Sequence, residues 1–216
     1  MPPESSGVTS PAPRPRVRAP QNRRAELLDA AERLFLQKGV AQTSVDDITT
    51  GAQVSKGTFY LYFSSREELL GALRERFIQG FCQRVDAAVR RRTASGEKGW
   101  NARLRAWFTA MLDGLLDQVM LHDMLFHDPH PASRELMKHN PIITQLEALL
   151  EAGAAAGAWR VADRHAVAIM MFHSMHGLAD DAVAHGTTAQ RARIVRRLTD
   201  TFAAALRSCC HDTSPP

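Results

Sequence analysis

Apolar residues recur at helical spacing along most of the chain. In AELLDAAERLFLQKG, Leu27, Ala31, Leu34 and Phe35 follow one another at i, i+4, i+7 and i+8. Gly39 comes next, where the C-terminal cap of a helix favours a residue that can adopt a positive φ. The pattern predicts an amphipathic helix of moderate length.

Capping signals predict three more helices directly after the first. Thr43 and Ser44 precede VDDIT, whose aspartates suit the positive end of a helix dipole, and they predict a short helix over residues 45–52. Ser55 predicts the N-cap of a second short helix. The stretch SSREELL, from Ser64, has the S-x-x-E form of a capping box and predicts the start of a fourth helix.

The fourth helix is predicted to be long. Over residues 66–92 it would extend about 40 Å, more than the three helices before it need for their own packing. We therefore expect it to connect the front helices to the rest of the chain. Its apolar stripe is unbroken at i, i+4 and consists of Leu69, Leu73, Phe77, Phe81, Val85 and Val89.

A second group of helices follows a break at TASGEKG, residues 93–99. No convincing β pattern and no internal repeat occurs in the chain. The sequence therefore predicts an all-α protein with a small front bundle and a larger back bundle. The predicted back elements are a helical face with Leu104, Trp107, Phe108, Met111, Leu112, Leu115, Leu116 and Val119, a proline turn HDPHPAS from His127, and helices over residues 142–156, 163–185 and 188–208.

The composition of the two chain ends and the distribution of charge along the chain give further predictions. Six of the eleven prolines lie in residues 1–20, which predicts a disordered basic arm there, and residues 209–216 are predicted to be a flexible tail. Residues 1–92 carry 15 Lys and Arg against 10 Asp and Glu, a net +5, whereas residues 93–216 carry 12 against 13, a net −1. The basic excess suggests that the front part meets an anionic polymer or surface.

Other classes of protein lack support in the composition. The 216-residue chain has no run of eighteen apolar residues and no signal-peptide core, so we expect a cytoplasmic protein without a membrane partner. Its three cysteines show neither metal-ligand nor redox spacing, and we expect them to be reduced and incidental, with redox sensing as the alternative.

Two short helices with a turn of about three residues between them form the layout of a helix-turn-helix DNA reader. On a helix that starts at Lys56, Phe59 and Phe63 share an inward face, Gly57 faces outward, and Tyr60 and Tyr62 lie on opposite flanks. The lysine is placed to reach a base edge, with guanine as the expected target, and the tyrosine hydroxyls to reach phosphates. The alternative is that both tyrosines pack against the long helix.

The run from Arg23 to Leu70, with AELLDAAERLFLQKG, TSVDDIT and AQVSKGTFYLYFSSREELL, resembles the DNA-binding domain of the TetR family of bacterial transcriptional regulators. The resemblance implies an all-α homodimer. Its N-terminal three-helix module, residues 21–81, would read a palindromic double-stranded DNA operator. Its C-terminal bundle, residues 82–208, would bind a small effector that releases the DNA and would also form the dimer.

The resemblance implies DNA-binding roles residue by residue, with residues 44–63 as the helix-turn-helix motif. Lys56, Gly57 and Thr58 match positions that enter the major groove, and Tyr60 and Tyr62 match phosphate contacts. The remaining implied DNA-binding residues are Thr43, which matches a backbone contact, the capping serines Ser44 and Ser55, and Arg66, which matches a basic residue that anchors a phosphate.

The turn of the motif departs from the family pattern. Gln53 stands where the family commonly has glycine, and a non-glycine residue there costs about 1 kcal/mol if its φ is positive. The arginines of the arm, Arg14, Arg16 and Arg18, are expected either to lie in a minor groove and add salt-dependent affinity or to remain a solvated tail.

All nine histidines lie after residue 120, and the back bundle also carries several methionines. With the resemblance, this soft apolar surface is expected to admit an apolar or aromatic effector in contact with one or two histidines, and ordinary core packing is the alternative for each residue. A metal sensor is a weaker alternative because the histidines lack a known ligand spacing, so no metal or other cofactor is expected. The candidate effector residues are Trp107, Met111, Phe126, His127, Met170, His173 and His176.

Three functions remain to be compared: a ligand-responsive DNA-binding repressor, a His/Asp metalloenzyme and a structural helical adaptor. An enzyme needs a nucleophile, a base and an orienting group within reach, and no such arrangement is evident in the sequence. An adaptor has no need for Lys56, Gly57, Thr58 and two tyrosines in that order. The repressor is therefore favoured, and no enzymatic activity is expected.

Overall fold

The computed structural model describes residues 20–94, 99–126 and 140–208. Within these ranges every regular element is a helix, which confirms the all-α prediction. The predicted arm up to residue 19, the proline turn with His127 and the C-terminal tail lie outside the described residues. The elements are α1 (Pro20–Lys38), α2 (Val45–Gly51), α3 (Lys56–Tyr62), α4 (Arg66–Ala94), α5 (Trp100–Leu116), α6 (Val119–Phe126), α7 (Pro141–Ala155), α8 (Arg164–Ala184), a 3-10 turn (Thr188–Gln190) and α9 (Arg191–Ser208).

Helix ends agree with the capping signals. Gly39 follows α1 at φ +85°, and Gly157 has φ +71° two residues after α7 ends. Asn140 caps α7 through the Ile142 amide, and Asp163 caps α8 through the Ala166 amide. In the described part of the chain, no helix combines the length and apolar character that a membrane crossing requires.

The predicted helical face that runs to Val119 is divided between two helices. Helix α5 ends at Leu116, and α6 begins at Val119. Asp117 caps α5 through its own amide, and its carboxylate accepts a hydrogen bond from Arg191 at 2.6 Å. The sequence shows no proline or glycine at this point, so the periodicity alone could not reveal the break.

Two hydrophobic cores lie along the chain. The front core is formed by α1 to α4, and its largest fully buried side chains include Phe35, Phe59 and Phe63. The back core is formed by the second half of α4 with α5, α7, α8 and α9, and it contains Trp107 and Met111. Helix α4 therefore takes part in both cores, as its predicted length required.

Helix α6 joins the two cores. Leu125 is buried in the front core, although it lies more than 50 residues beyond the other members of that core. Arg74 on α4 donates a 2.7 Å hydrogen bond to the Leu125 carbonyl oxygen. Phe77 packs against both cores. A displacement of α6 would therefore shift its contacts with the front core.

Candidate nucleic-acid interface

The α2–turn–α3 unit is held by side-chain caps. The Ser44 hydroxyl accepts from the Asp47 amide, and the Asp47 carboxylate accepts from the Ser44 amide, so the two residues form a reciprocal capping box. The Ser55 hydroxyl accepts from the Thr58 amide at 3.1 Å and lies 2.9 Å from the Thr58 hydroxyl. The caps set the start of each helix and therefore the direction in which α3 presents its outer face.

The turn contains a strained residue. Gln53 has φ +55°, and it is the one non-glycine residue with positive φ in the described ranges. The left-handed region costs a residue with a Cβ roughly 1 to 2 kcal/mol. The strain that the sequence pointed to is therefore present in the turn of the motif.

Gln53→Gly should raise the free energy of unfolding by about 1 kcal/mol, because glycine adopts a positive φ without the Cβ penalty and loses only part of this gain to greater freedom in the unfolded chain. Chemical denaturation measures the change. Gln79→Gly, in the middle of α4, is the matched control and should lower stability by about 1 kcal/mol. A Gln53→Gly variant less stable than the wild type would contradict the strain.

The outer face of α3 is exposed and unusually apolar. Phe59 is fully buried, which confirms the inward face predicted for it on α3. Tyr60 is 57% exposed and Leu61 is 81% exposed, and Gly57 lies one turn before Leu61 on the same side. Leu61 is absent from the predicted DNA-binding set, although its i, i+4 relation to Gly57 was a usable signal.

The two tyrosines have different environments. Tyr60 meets the Phe59 ring edge-on at 5.3 Å and leaves most of its surface in solvent. Tyr62 is only partly exposed and packs against the front core. The alternative prediction, in which the tyrosines pack inside the protein, therefore suits the ring of Tyr62 better than the ring of Tyr60.

Lys56 forms an ion pair across the motif. Its Nζ lies 2.6 Å from Asp46 Oδ1, and both side chains are more than half exposed. The hydrogen bond to Asp46 and the charge of that carboxylate raise the pKa of Lys56. The lysine is therefore firmly protonated, and one of its three N–H donors is directed to Asp46.

Thr43 and Arg66 brace the loop between α1 and α2. The Thr43 side chain is buried, and its hydroxyl donates to the Gly39 carbonyl oxygen at 2.8 Å. Arg66 Nη1 donates to the carbonyl oxygens of Val40 and Thr43 at 2.9 and 3.0 Å. Both side chains thus use polar atoms inside the module and help to position α2.

The candidate effector residues of the back bundle are found in three places. Trp107 and Met111 are buried in the back core, and Trp107 Nε1 has no hydrogen-bond partner among the described residues. Met170 and His173 lie on the outer, exposed face of α8. Phe126 and His176 join one cluster of rings through His122, a residue outside the predicted set. His127 lies outside the described residues.

Comparisons with known proteins agree with this geometry. A family model described as "Bacterial regulatory proteins, tetR family" matches residues 27–73, which contain α2, α3 and most of the front core. The chain is 34% identical over 89 residues to the transcriptional regulator EthR of Mycolicibacterium smegmatis, which is 41% of each chain. It is 43% identical over 53 residues to TtgR of Pseudomonas putida, 24% of this chain and 25% of that protein.

The likeness to solved structures is more extensive than the likeness in sequence. FadR of Bacillus subtilis, solved in complex with stearoyl-CoA, superposes with a TM-score of 0.65 over 81% of this chain and 97% of that chain, at 18% identity. Such a low identity shows a common fold alone. The matches to EthR and TtgR cover less than half the length of those relatives. The family model thus assigns residues 27–73 to the tetR family of bacterial regulatory proteins, the chain is similar to the regulators EthR and TtgR, and most of it shares the fold of FadR.

Proposed function

We propose that the protein is a DNA-binding transcriptional regulator, most simply a repressor, that reads a palindromic operator as a homodimer and is released by a small effector. The outer face of α3 is the observation that carries the proposal. A short helix that exposes a tyrosine, a leucine, a glycine and a lysine has surface for a partner that its own fold does not use. Double-stranded DNA offers the phosphates, base edges and methyl groups that such a face can contact.

Each exposed side chain of α3 has a distinct role in the proposal. Lys56 exchanges Asp46 for a base edge, with guanine O6 and N7 as its acceptors. Leu61 provides apolar contact for a thymine methyl group. Tyr60 donates its hydroxyl to a phosphate, while Tyr62 rests on the front core and reaches the backbone only with its hydroxyl. Gly57 lets the helix approach the DNA closely.

A gel shift with operator variants from the chain's own upstream region should separate base reading from phosphate contact. Tyr60→Phe should weaken binding to all sequences alike, by several fold, because a phosphate is the same at every base pair. Lys56→Ala should change the order of preferred sequences, with about tenfold discrimination lost at one position. Lys38→Ala is the control, since this lysine pairs with Asp47 in the same module and lies outside α3.

Two outcomes would contradict these assignments. If Lys56→Ala lowered the affinity of every site equally, Lys56 would not read a base. If the wild-type protein gave no salt-sensitive, sequence-selective band, an adaptor or an enzyme would be the better interpretation of the chain.

The outer faces of α8 and α9 suit a dimer interface. A two-fold axis requires one patch to meet its own copy, and small side chains let helices approach closely. Dimerisation through these helices would place two α3 helices about one DNA turn apart, roughly 34 to 36 Å, as a palindrome demands. The exposed residues of this patch are Met170, His173, Ser174, Gly177, Asp181 and Ala184 on α8 and Arg197, Thr201 and Ala205 on α9.

The back bundle is proposed to bind the effector. Trp107 Nε1 is a buried donor without a partner in the described chain, and such a group is costly unless a bound molecule accepts its hydrogen bond. The apolar surroundings favour an apolar or aromatic compound, and FadR, which shares the fold, was solved in complex with stearoyl-CoA. Helix α6 offers the route to the DNA-binding face, because Leu125 and Arg74 tie it to the front core.

A further inference from the structure

Five rings from three helices form a continuous cluster where the front and back bundles meet. Phe77 belongs to α4, His122 and Phe126 to α6, and Phe172 and His176 to α8. Ring centroids are 6.2 Å apart for Phe77 and His122, 5.3 Å for His122 and Phe126, 5.6 Å for His122 and His176, and 4.2 Å for Phe172 and His176. We refer to these five residues as the junction cluster.

The junction cluster is not fully closed. Phe77, Phe126 and His176 are each partly exposed, whereas the rings of either core are almost wholly buried. Aromatic ring edges and faces are therefore available to a flat apolar molecule, which packs on them with centroid spacings of 4.5 to 7 Å.

His176 supplies the polar group of the cluster. Its Nδ1 lies 3.2 Å from the carbonyl oxygen of Phe172, one turn earlier on α8. A carbonyl oxygen can only accept, so Nδ1 carries the proton and Nε2 of the neutral ring carries the lone pair. None of the described residues donates a hydrogen bond to Nε2. The cluster thus presents one hydrogen-bond acceptor among apolar rings.

The ring of His176 stays neutral at physiological pH. Burial, with smaller contributions from His122 and His173, lowers the pKa of His176 to about 4, against the opposing effects of its hydrogen bond to the Phe172 carbonyl oxygen and of Asp180. The folded protein therefore takes up no proton at His176 between pH 8 and about 5. The same desolvation penalises any other charge placed in this position, on a ligand as well as on the protein.

We infer that the junction cluster binds a neutral phenol, whose ring packs against the aromatic side chains and whose hydroxyl donates to His176 Nε2. A hydrocarbon of the same shape leaves Nε2 without a partner. A carboxylate meets an acceptor with no proton to offer it, and an ammonium group loses its hydration. The inference rests on the proposed function, since it names the chemical class of the effector. Phe77 and Phe126 also pack against the front core, so a ligand here acts on the α6 contact.

The test uses the full chain and three probes of equal shape: p-cresol, toluene and 4-methylbenzoate. Isothermal titration at pH 7 should give p-cresol about tenfold tighter binding than toluene, the value of one net hydrogen bond, and no binding of 4-methylbenzoate. The affinity for p-cresol should be the same at pH 6 and pH 8. Equal affinity for p-cresol and toluene in the wild-type protein would overturn the inference without any variant.

Substitutions test whether His176 accepts the hydrogen bond from the phenol hydroxyl. His176→Phe keeps an aromatic ring and should lower p-cresol affinity about tenfold while toluene affinity is retained. His165→Phe is the matched control, an exposed histidine near the start of the same helix, and should change neither affinity. An equal loss in both variants would overturn the role of His176.

A gel shift of the wild-type protein, run in parallel, separates the failure of the phenol inference from the failure of the proposed DNA-binding function. A selective DNA band with no preference for p-cresol over toluene would remove the phenol inference alone. Preferential binding of p-cresol without any DNA band would instead remove the proposed function.

Discussion

Gly57→Glu should abolish selective DNA binding and leave the fold intact. A Cβ added at Gly57 would meet nothing closer than the Ser55 hydroxyl oxygen at 3.7 Å, which is ordinary contact. The side chain would stand on the outer face of α3 beside Leu61, where it adds bulk and a negative charge against phosphates. We expect operator affinity, measured by fluorescence anisotropy, to fall more than 100-fold. The bulk of the glutamate prevents close approach of α3 to the DNA, and its negative charge is repelled by the phosphates.

Gly71→Glu is the matched control for charge. A Cβ at this exposed glycine of α4 has no neighbour within 4 Å, and the glutamate adds the same charge to the front bundle away from α3. Its affinity should fall by no more than a few fold. If both variants lost affinity equally, the effect would be one of net charge, and the outer face of α3 would not be the contact surface. Unchanged melting temperatures would show that neither variant acts through unfolding.

Gly153→Ala should lower the free energy of unfolding by about 3 kcal/mol, the upper end of the cost of an overpacked core. An added Cβ would overlap the indole of Trp159. That ring cannot move aside easily, because it is 3% exposed, its Nε1 donates to the Leu150 carbonyl oxygen at 2.9 Å, and Trp100 packs against it edge-on. The gain in helix propensity, about 1 kcal/mol, is smaller than this cost.

The same substitution at an open position should have the opposite sign. Gly71→Ala places its Cβ in open space on α4, and it should raise stability by up to about 1 kcal/mol. Urea denaturation of the two variants measures both changes. A neutral Gly153→Ala variant would mean that Trp159 can adopt another position in the back core.

Local signals predicted the helices well where a cap or a glycine marks the boundary. Ser44, Ser55 and Gly39 each act on backbone groups within four residues, so their effect can be inferred without knowing the fold. The strain at Gln53 could be foreseen for the same reason, once the turn was recognised. The boundary between α5 and α6 could not, because Asp117 is held there by Arg191, 74 residues away.

Side-chain roles at the surface were harder to predict than the helices. Periodicity correctly placed Phe59 inside and Gly57 outside. It could not show that Arg66 turns back to the carbonyl oxygens of Val40 and Thr43, because that choice depends on a loop more than 20 residues away. Nor could it separate Tyr60 from Tyr62, whose difference lies in how much of each ring the front core covers.

Spacing and capping residues alone therefore predict the helical class, the helix-turn-helix with its capped ends and the inward and outward faces of α3. These features follow from interactions between residues within about one or two helical turns of each other, and such interactions can be inferred from the spacing of the residues in the sequence. The ion pair of Lys56 with Asp46, the insertion of Leu125 into the front core and the contact of His122 with His176 depend instead on how the helices pack. Those contacts join separate helices, and they exist only because packing of the two cores brings the helices together.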